Sequence, residues 1–270
     1  MPTKMIRLAL CGEETGANHR IFEDDQEIHM ANPALKDKTL LAIRSDHTSG
    51  ARMSKRGVLG ALSMFASLVV AGAAAGWIES SGSATPSGGL LLVALLGSFA
   101  LAMVIMRTPR LARSLGFVYS IVEGFLLGVI SQSYNAQYHG IVLEAVGVTA
   151  GVALSVWFLY GTGVVKVTSK TYRVVGAATL GALAFYGVSL LMMVFGGPNL
   201  DGGGGAIGVG ISLVLALVAA ANFLVDLDQV DRLVASGADA QYDWYMAFAM
   251  MVSLIWLYLE VLNLLGKGRR

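Results

Sequence analysis

Seven apolar stretches of about twenty residues constrain this chain more than any other feature: 57–78, 88–106, 114–133, 141–162, 173–195, 206–226 and 244–265. Each is closed off by polar residues, Gly or Pro, as in SSGSATPSGG at 80–89 and GGPNLDGGGG at 196–205. A hydrocarbon layer about 30 Å thick is crossed by about 20 helical residues, and only helices or closed barrels satisfy their backbone inside it. Composition agrees: 55% of residues are hydrophobic and 14% charged, where a soluble domain carries about 25% charged residues. That excludes a soluble enzyme, a disordered chain and a nucleic-acid binder. Nine of the nineteen Lys/Arg and eight of the eighteen Asp/Glu crowd into the first 56 residues. We therefore expect an all-α membrane protein with seven transmembrane helices over 57–266, a polar tail over 1–56 and a short basic tail over 267–270.

Basic residues outside the spans alternate from one connection to the next. Arg44, Arg52, Lys55 and Arg56 precede the first span, Arg107, Arg110 and Arg113 follow the second, and Lys166, Lys170 and Arg173 follow the fourth. The intervening connections carry none. By the excess of Lys and Arg on cytoplasmic loops, the N-terminus is expected in the cytoplasm. The end of the chain breaks this pattern. Seven crossings put Lys267, Arg269 and Arg270 outside, while the connection before the last span holds Asp228, Asp231, Asp239 and Asp243 against Arg232. We take the last segment as a full crossing; the alternative is a segment that re-enters and returns. No signal peptide or lipidation signature is expected, the lone Cys11 forms no intrachain disulfide, and Met30 offers a second start that would remove residues 1–29.

Small residues at four-residue spacing mark close helix contacts in lipid. They recur as Ser120/Gly124/Gly128 in the third span, Gly147/Gly151/Ser155 in the fourth and Gly208/Ser212/Ala216/Ala220 in the sixth, and are expected to face the bundle. No HExxH, GxSxG or Walker loop occurs, and His19, His29, His47 and His139 all lie outside the spans, so neither an enzyme nor a resident cofactor is expected. The glycines 202–205 beside Asp201 read as a flexible linker rather than a calcium turn.

Acids remain in or at the ends of the spans, with no Lys or Arg in a span interior. An acid at membrane depth is costly, faces a cavity or partner, and is a functional candidate. Glu123 is deepest, beside the third-span seam. Glu144 lies near the outer end of the fourth span and is either a pathway residue or an interfacial acid. On a helix advancing 100° per residue, Asp226 shares an arc with Phe223, Leu227, Val230 and Leu233, so it should face the bundle if the helix continues past 226. Asp228 and Asp231 should then meet water. Ser253, Glu260 and Asn263 form a polar stripe on the last span, the first two about 10 Å apart along the axis.

The stretches MANPALKDKTL, FVYSIVEGFLLGVIS, LYGTGVVKVTSKTYRVVGAATLGAL, NFLVDLDQV and SLIWLYLEVLNLLG resemble, in order, the Bax inhibitor-1/YccA family, the transmembrane Bax inhibitor motif family, in its bacterial branch with a long N-terminal tail. The resemblance implies six helices around a central seventh, in the bacterial inner membrane. It implies a pH-sensitive calcium leak gated by two aspartates, one on each of the last two helices, which share a proton. Asp226 matches the sixth-helix aspartate and Glu123 an acid of the third helix. The seventh-helix aspartate falls on Ser253, which cannot titrate, so the shared-proton pair is missing; Glu260 lies two turns further along.

Three functions compete. The first is a cation leak channel, with calcium and protons as partners and Asp226 and Glu123 as oxygen ligands or proton sensors. The second is a non-conducting regulator that binds a membrane protease or another membrane protein. The third, a proton-coupled transporter, lacks the internal repeat common in such folds.

Overall fold

The apolar runs become seven long helices in a computed structural model that describes residues 50–82, 88–196 and 205–269. The tail before residue 50 (with Cys11, Met30, three of the histidines and Arg44), residues 83–87, the Asp201–glycine linker up to 204, and Arg270 lie outside the described residues. Helix α1 spans Lys55–Ser81, α2 Gly88–Arg107, α3 Ala112–Gln137, α4 Ile141–Gly161, α5 Ser169–Val194, α6 Ala206–Ala235 and α7 Asp243–Gly268. Among the described residues there is no strand, only an isolated antiparallel bridge between Arg52 and Asp239.

Local chemistry sets the ends. The Ser54 hydroxyl accepts from the Gly57 amide at 3.0 Å and caps α1. Pro109, which cannot continue a helix, opens a one-turn 3-10 segment between α2 and α3. Gly140 takes φ +83° just before α4, a conformation that disfavours side chains. Helix α6 runs nine residues past the expected end of its apolar stretch, because the acids there find partners inside the protein. It gives way only at Ser236 and Gly237, where φ reaches +72°.

Among the described residues, six helices are long and apolar enough to cross a membrane. Large apolar side chains such as Val70, Val93, Ile121, Leu143, Leu180 and Leu217 point outward. A lipid solvent accepts such a surface, where water would favour its burial. The protein is a multi-pass membrane protein.

Helix α7 is the axis. It packs against α1, α3, α4 and α6 and touches α5 through Glu260 and Tyr186; α2 leans on α3. Around its first half, Phe65, Tyr245, Met246 and Phe248 are almost fully buried. The tightest contact joins α1 and α3. A Cβ on Gly124 would lie 2.9 Å from Val69 Cα, one on Gly128 2.9 Å from Ala73 Cα, and one on Gly72 2.5 Å from the Ile121 carbonyl oxygen. The third-span seam is therefore a backbone-to-backbone contact.

The sixth-span seam also faces inward, with Gly208, Ser212 and Ala216 buried. The fourth does not. Gly147, Gly151 and Ser155 are exposed, and a Cβ on either glycine meets nothing within 4 Å. Helix α4 buries Ile141 and Ala145 instead, so its small residues lie on the opposite side from its contacts.

The two ends of α7 lie at opposite ends of the bundle. Its start is laced to the start of α1: the Ser54 amide donates to Asp243 Oδ1 at 3.1 Å, the Met53 amide to Ala238 O at 2.7 Å, and the Ala240 amide to Ala51 O at 3.0 Å. Its far end meets the start of α4, where Arg269 pairs with Glu144 at 2.6 Å. A helix of 26 residues rises about 39 Å, enough for a full crossing with no re-entrant turn.

Candidate functional site

Polar side chains inside the bundle collect along the α6–α7 contact and at its two ends. At mid-height Asp226, with no exposed surface, accepts a hydrogen bond from the Ser253 hydroxyl at 2.5 Å. Continuation of α6 beyond residue 226 puts Phe223, Leu227, Val230 and Leu233 into the core beside it, the arc expected from helical periodicity. Ser253 is thus the direct α7 counterpart of Asp226, and its hydroxyl supplies a donor where a second carboxyl would compete for a proton. The Tyr245 side chain, one helical segment earlier on α7, feels the Asp226 charge, and its buried hydroxyl has no hydrogen-bond partner. Asn222, one turn before Asp226, donates to Thr179 of α5 at 2.8 Å.

Asp228 does not meet water. It is 9% exposed and accepts from Tyr172 at 2.5 Å and from Arg232 Nε at 2.6 Å. Tyr160 lies 3.3 Å from both Asp228 and Asp231. Asp231 is half-buried and pairs with Lys55 at 2.8 Å. The helical wheel placed Asp228 correctly on the side away from Asp226; α5 and the end of α4 cover that side with two tyrosines. Arg232 also stacks over Tyr172, 5.5 Å from the ring centre. The four acids before the last span are therefore held by α1, α4, α5 and backbone amides, including that of Gln241 on Asp239.

The other acids stand apart from Asp226. Glu123 is half-buried and lies against Ser98 of α2, beside the glycine seam and about 100° around α3 from Gly124. Glu144 is exposed and bound to Arg269. Glu260 is 4% exposed. One of its oxygens, Oε1, is contacted by the Tyr186 hydroxyl and by Trp256 Nε1, the latter at 3.3 Å; the other, Oε2, is buried without a partner. Asn263 accepts from Tyr134 of α3 at 3.3 Å. Seven residues separate Glu260 from Ser253, about 10 Å of helix, so Glu260 does not reach Asp226.

Lys267 escaped notice as part of a basic tail. It belongs to α7, is 4% exposed, and donates to Ser212 Oγ at 3.0 Å. The sequence signal is its spacing: Ser253, Glu260 and Lys267 repeat every seven residues, opposite Asp226, Ala219 and Ser212 on α6. Nothing comparable singles out Tyr172 or Tyr186 on α5.

Among the described residues no group of three or more His, Cys, Asp or Glu side chains is placed to hold a metal ion. The chemistry at hand is instead that of separate buried carboxylates, hydrogen-bonded by hydroxyl, indole, guanidinium or backbone amide donors.

No curated protein sequence matches the chain. Residues 23–270 match the family described as Bax inhibitor 1 like, a stretch that contains all seven helices and the Asp226–Ser253 contact. The chain belongs to the Bax inhibitor 1 like family.

Proposed function

We propose that this protein is a non-enzymatic, pH-sensitive cation leak channel with calcium as the permeant ion, in a bacterial inner membrane with its N-terminus in the cytoplasm. The observation that carries this reading is Asp226, fully enclosed at the contact of α6 with the central helix and hydrogen-bonded to Ser253. A carboxylate accepts hydrogen bonds and a carboxylic acid donates one, so a change of protonation at Asp226 forces the Ser253 bond to rearrange. That couples proton uptake to the packing of α6 on α7. Calcium prefers carboxylate and carbonyl oxygens, which Asp226 and the α6–α7 backbone would offer once the two helices part. In this protein the titrating group at the gate is a single aspartate with a serine partner.

The test is calcium efflux from loaded vesicles containing purified protein, at neutral and acidic pH. We expect a flux above that of empty vesicles that changes with pH, and loss of the pH dependence in Asp226→Asn. A flux equal to empty vesicles at both pH values overturns the proposal.

A second reading, a non-conducting regulator that docks another membrane protein such as a protease, is favoured by one observation: the outward stripe Gly147/Gly151/Ser155 on α4, where among the described residues nothing lies within 4 Å of a Cβ on either glycine. It predicts that bulky substitutions on that stripe abolish the cellular phenotype while Asp226→Asn leaves it intact. The reverse outcome counts against it.

A further inference from the structure

Beside Glu260 an open-sided cavity of about 370 Å³ lies between α3, α5 and α7. Its walls are Tyr134, Tyr186, Trp256, Glu260 and Asn263, with Ile130 and two leucines completing it. That volume falls in the range of small-molecule sites, which are mostly apolar with a few polar groups that fix orientation.

The composition of the wall selects the ligand. The lining contains three aromatic side chains and one carboxylate, and neither Lys nor Arg. An anion has no partner there. An organic ammonium has two kinds: a carboxylate, and aromatic faces that attract cations. The apolar remainder of the wall suits a hydrocarbon or aryl group on the same molecule.

Glu260 is also incompletely satisfied. Tyr186 and Trp256 contact Oε1, while Oε2 is buried and makes no hydrogen bond. A buried unsatisfied carboxylate oxygen is costly. Lys267 interacts electrostatically with this carboxylate, but its ammonium donates to Ser212. The terminal torsion of a glutamate is soft, so a small rotation brings Oε2 to the cavity wall, where a ligand N–H would satisfy it.

We propose that this cavity is a binding site for a lipophilic organic ammonium ion, held by Glu260 through a charge-assisted hydrogen bond and by the aromatic faces of Trp256, Tyr134 and Tyr186. The site is separate from the Asp226 contact and does not depend on ion conduction.

The experiment uses full-length protein in lipid nanodiscs and equilibrium dialysis of radiolabelled 3-phenylpropylamine against its neutral counterpart 3-phenylpropanol. Saturable amine binding at one site per protein is expected, with the alcohol at least tenfold weaker, since hydrogen bonds to ionised groups are about twice as strong as neutral ones. Glu260→Gln should weaken amine binding at least tenfold and leave the alcohol unchanged, and Trp256→Leu should weaken both. Asp226→Asn should bind the amine as the unaltered protein does, even where it abolishes pH-dependent flux. Equal retention of amine and alcohol by the unaltered protein, which requires no variant to fold, overturns the proposal. So does amine affinity in folded Glu260→Gln equal to that of the unaltered protein.

Discussion

Lys55 and Asp231 form a 2.8 Å ion pair that ties the first turn of α1 to the last turns of α6. It sits at the open end of a chain of contacts that continues through Tyr160 to Asp228 and Tyr172. Strength should increase inward along this chain. Lys55 is 61% exposed, and exposed ion pairs contribute about 0–1 kcal/mol, so Lys55→Ala should lower stability only slightly. Tyr172→Phe leaves a buried carboxylate without its 2.5 Å donor and should cost about 1–3 kcal/mol. Denaturation midpoints in a fixed detergent compare the two; an equal effect would show that burial does not grade the network.

The glycines at the α1–α3 contact should be intolerant, and those of α4 tolerant. Gly124→Ala or Gly128→Ala drives a methyl group into the α1 backbone, and overpacking of this kind costs about 1–3 kcal/mol. Gly147→Ala and Gly151→Ala add a methyl into open space and should be neutral or slightly stabilising, since Ala is the better helix former by about 1 kcal/mol. Thermal unfolding of the four variants checks the contrast.

Ser253→Ala removes the donor to Asp226 and should destabilise the protein by about 1–3 kcal/mol. Ser253→Thr retains the hydroxyl and should recover part of that loss. If Ser253→Ala unfolds at the same temperature as the unaltered protein, the hydrogen bond contributes nothing net.

The crossing pattern makes a labelling prediction. In a Cys11→Ser background, cysteines at Glu144 and Arg269 should react with an impermeant maleimide from one face of sealed vesicles. A cysteine at Lys55 should react from the other. If positions 55 and 269 label from the same face, α7 does not cross.

Helix number was legible in the sequence because it depends on one coarse signal, apolar length. The inward direction of Asp226 was legible because a 3.6-residue period needs only the identities of its neighbours on one helix. The surroundings of Asp228 were not, because its cover comes from Tyr160 and Tyr172, more than fifty residues away. The α4 stripe misled for a related reason. Small residues permit a close approach, but whether a partner helix arrives is decided by the rest of the bundle, which seats α4 on Ile141 and Ala145. Lys267 was hidden by its position near the end of the chain, where a basic residue reads as a solvated anchor.

The seven-residue register of α6 against α7 also limits how the central helix can move. Asp226–Ser253 and Ser212–Lys267 are fourteen residues apart on both helices, about 21 Å. A piston stroke of one helix along the other would break both polar contacts together, with no new partner after a single turn. A pivot about either contact keeps one intact while the other opens. A displacement of α7 that preserves either contact is therefore a tilt about that contact rather than a slide along α6.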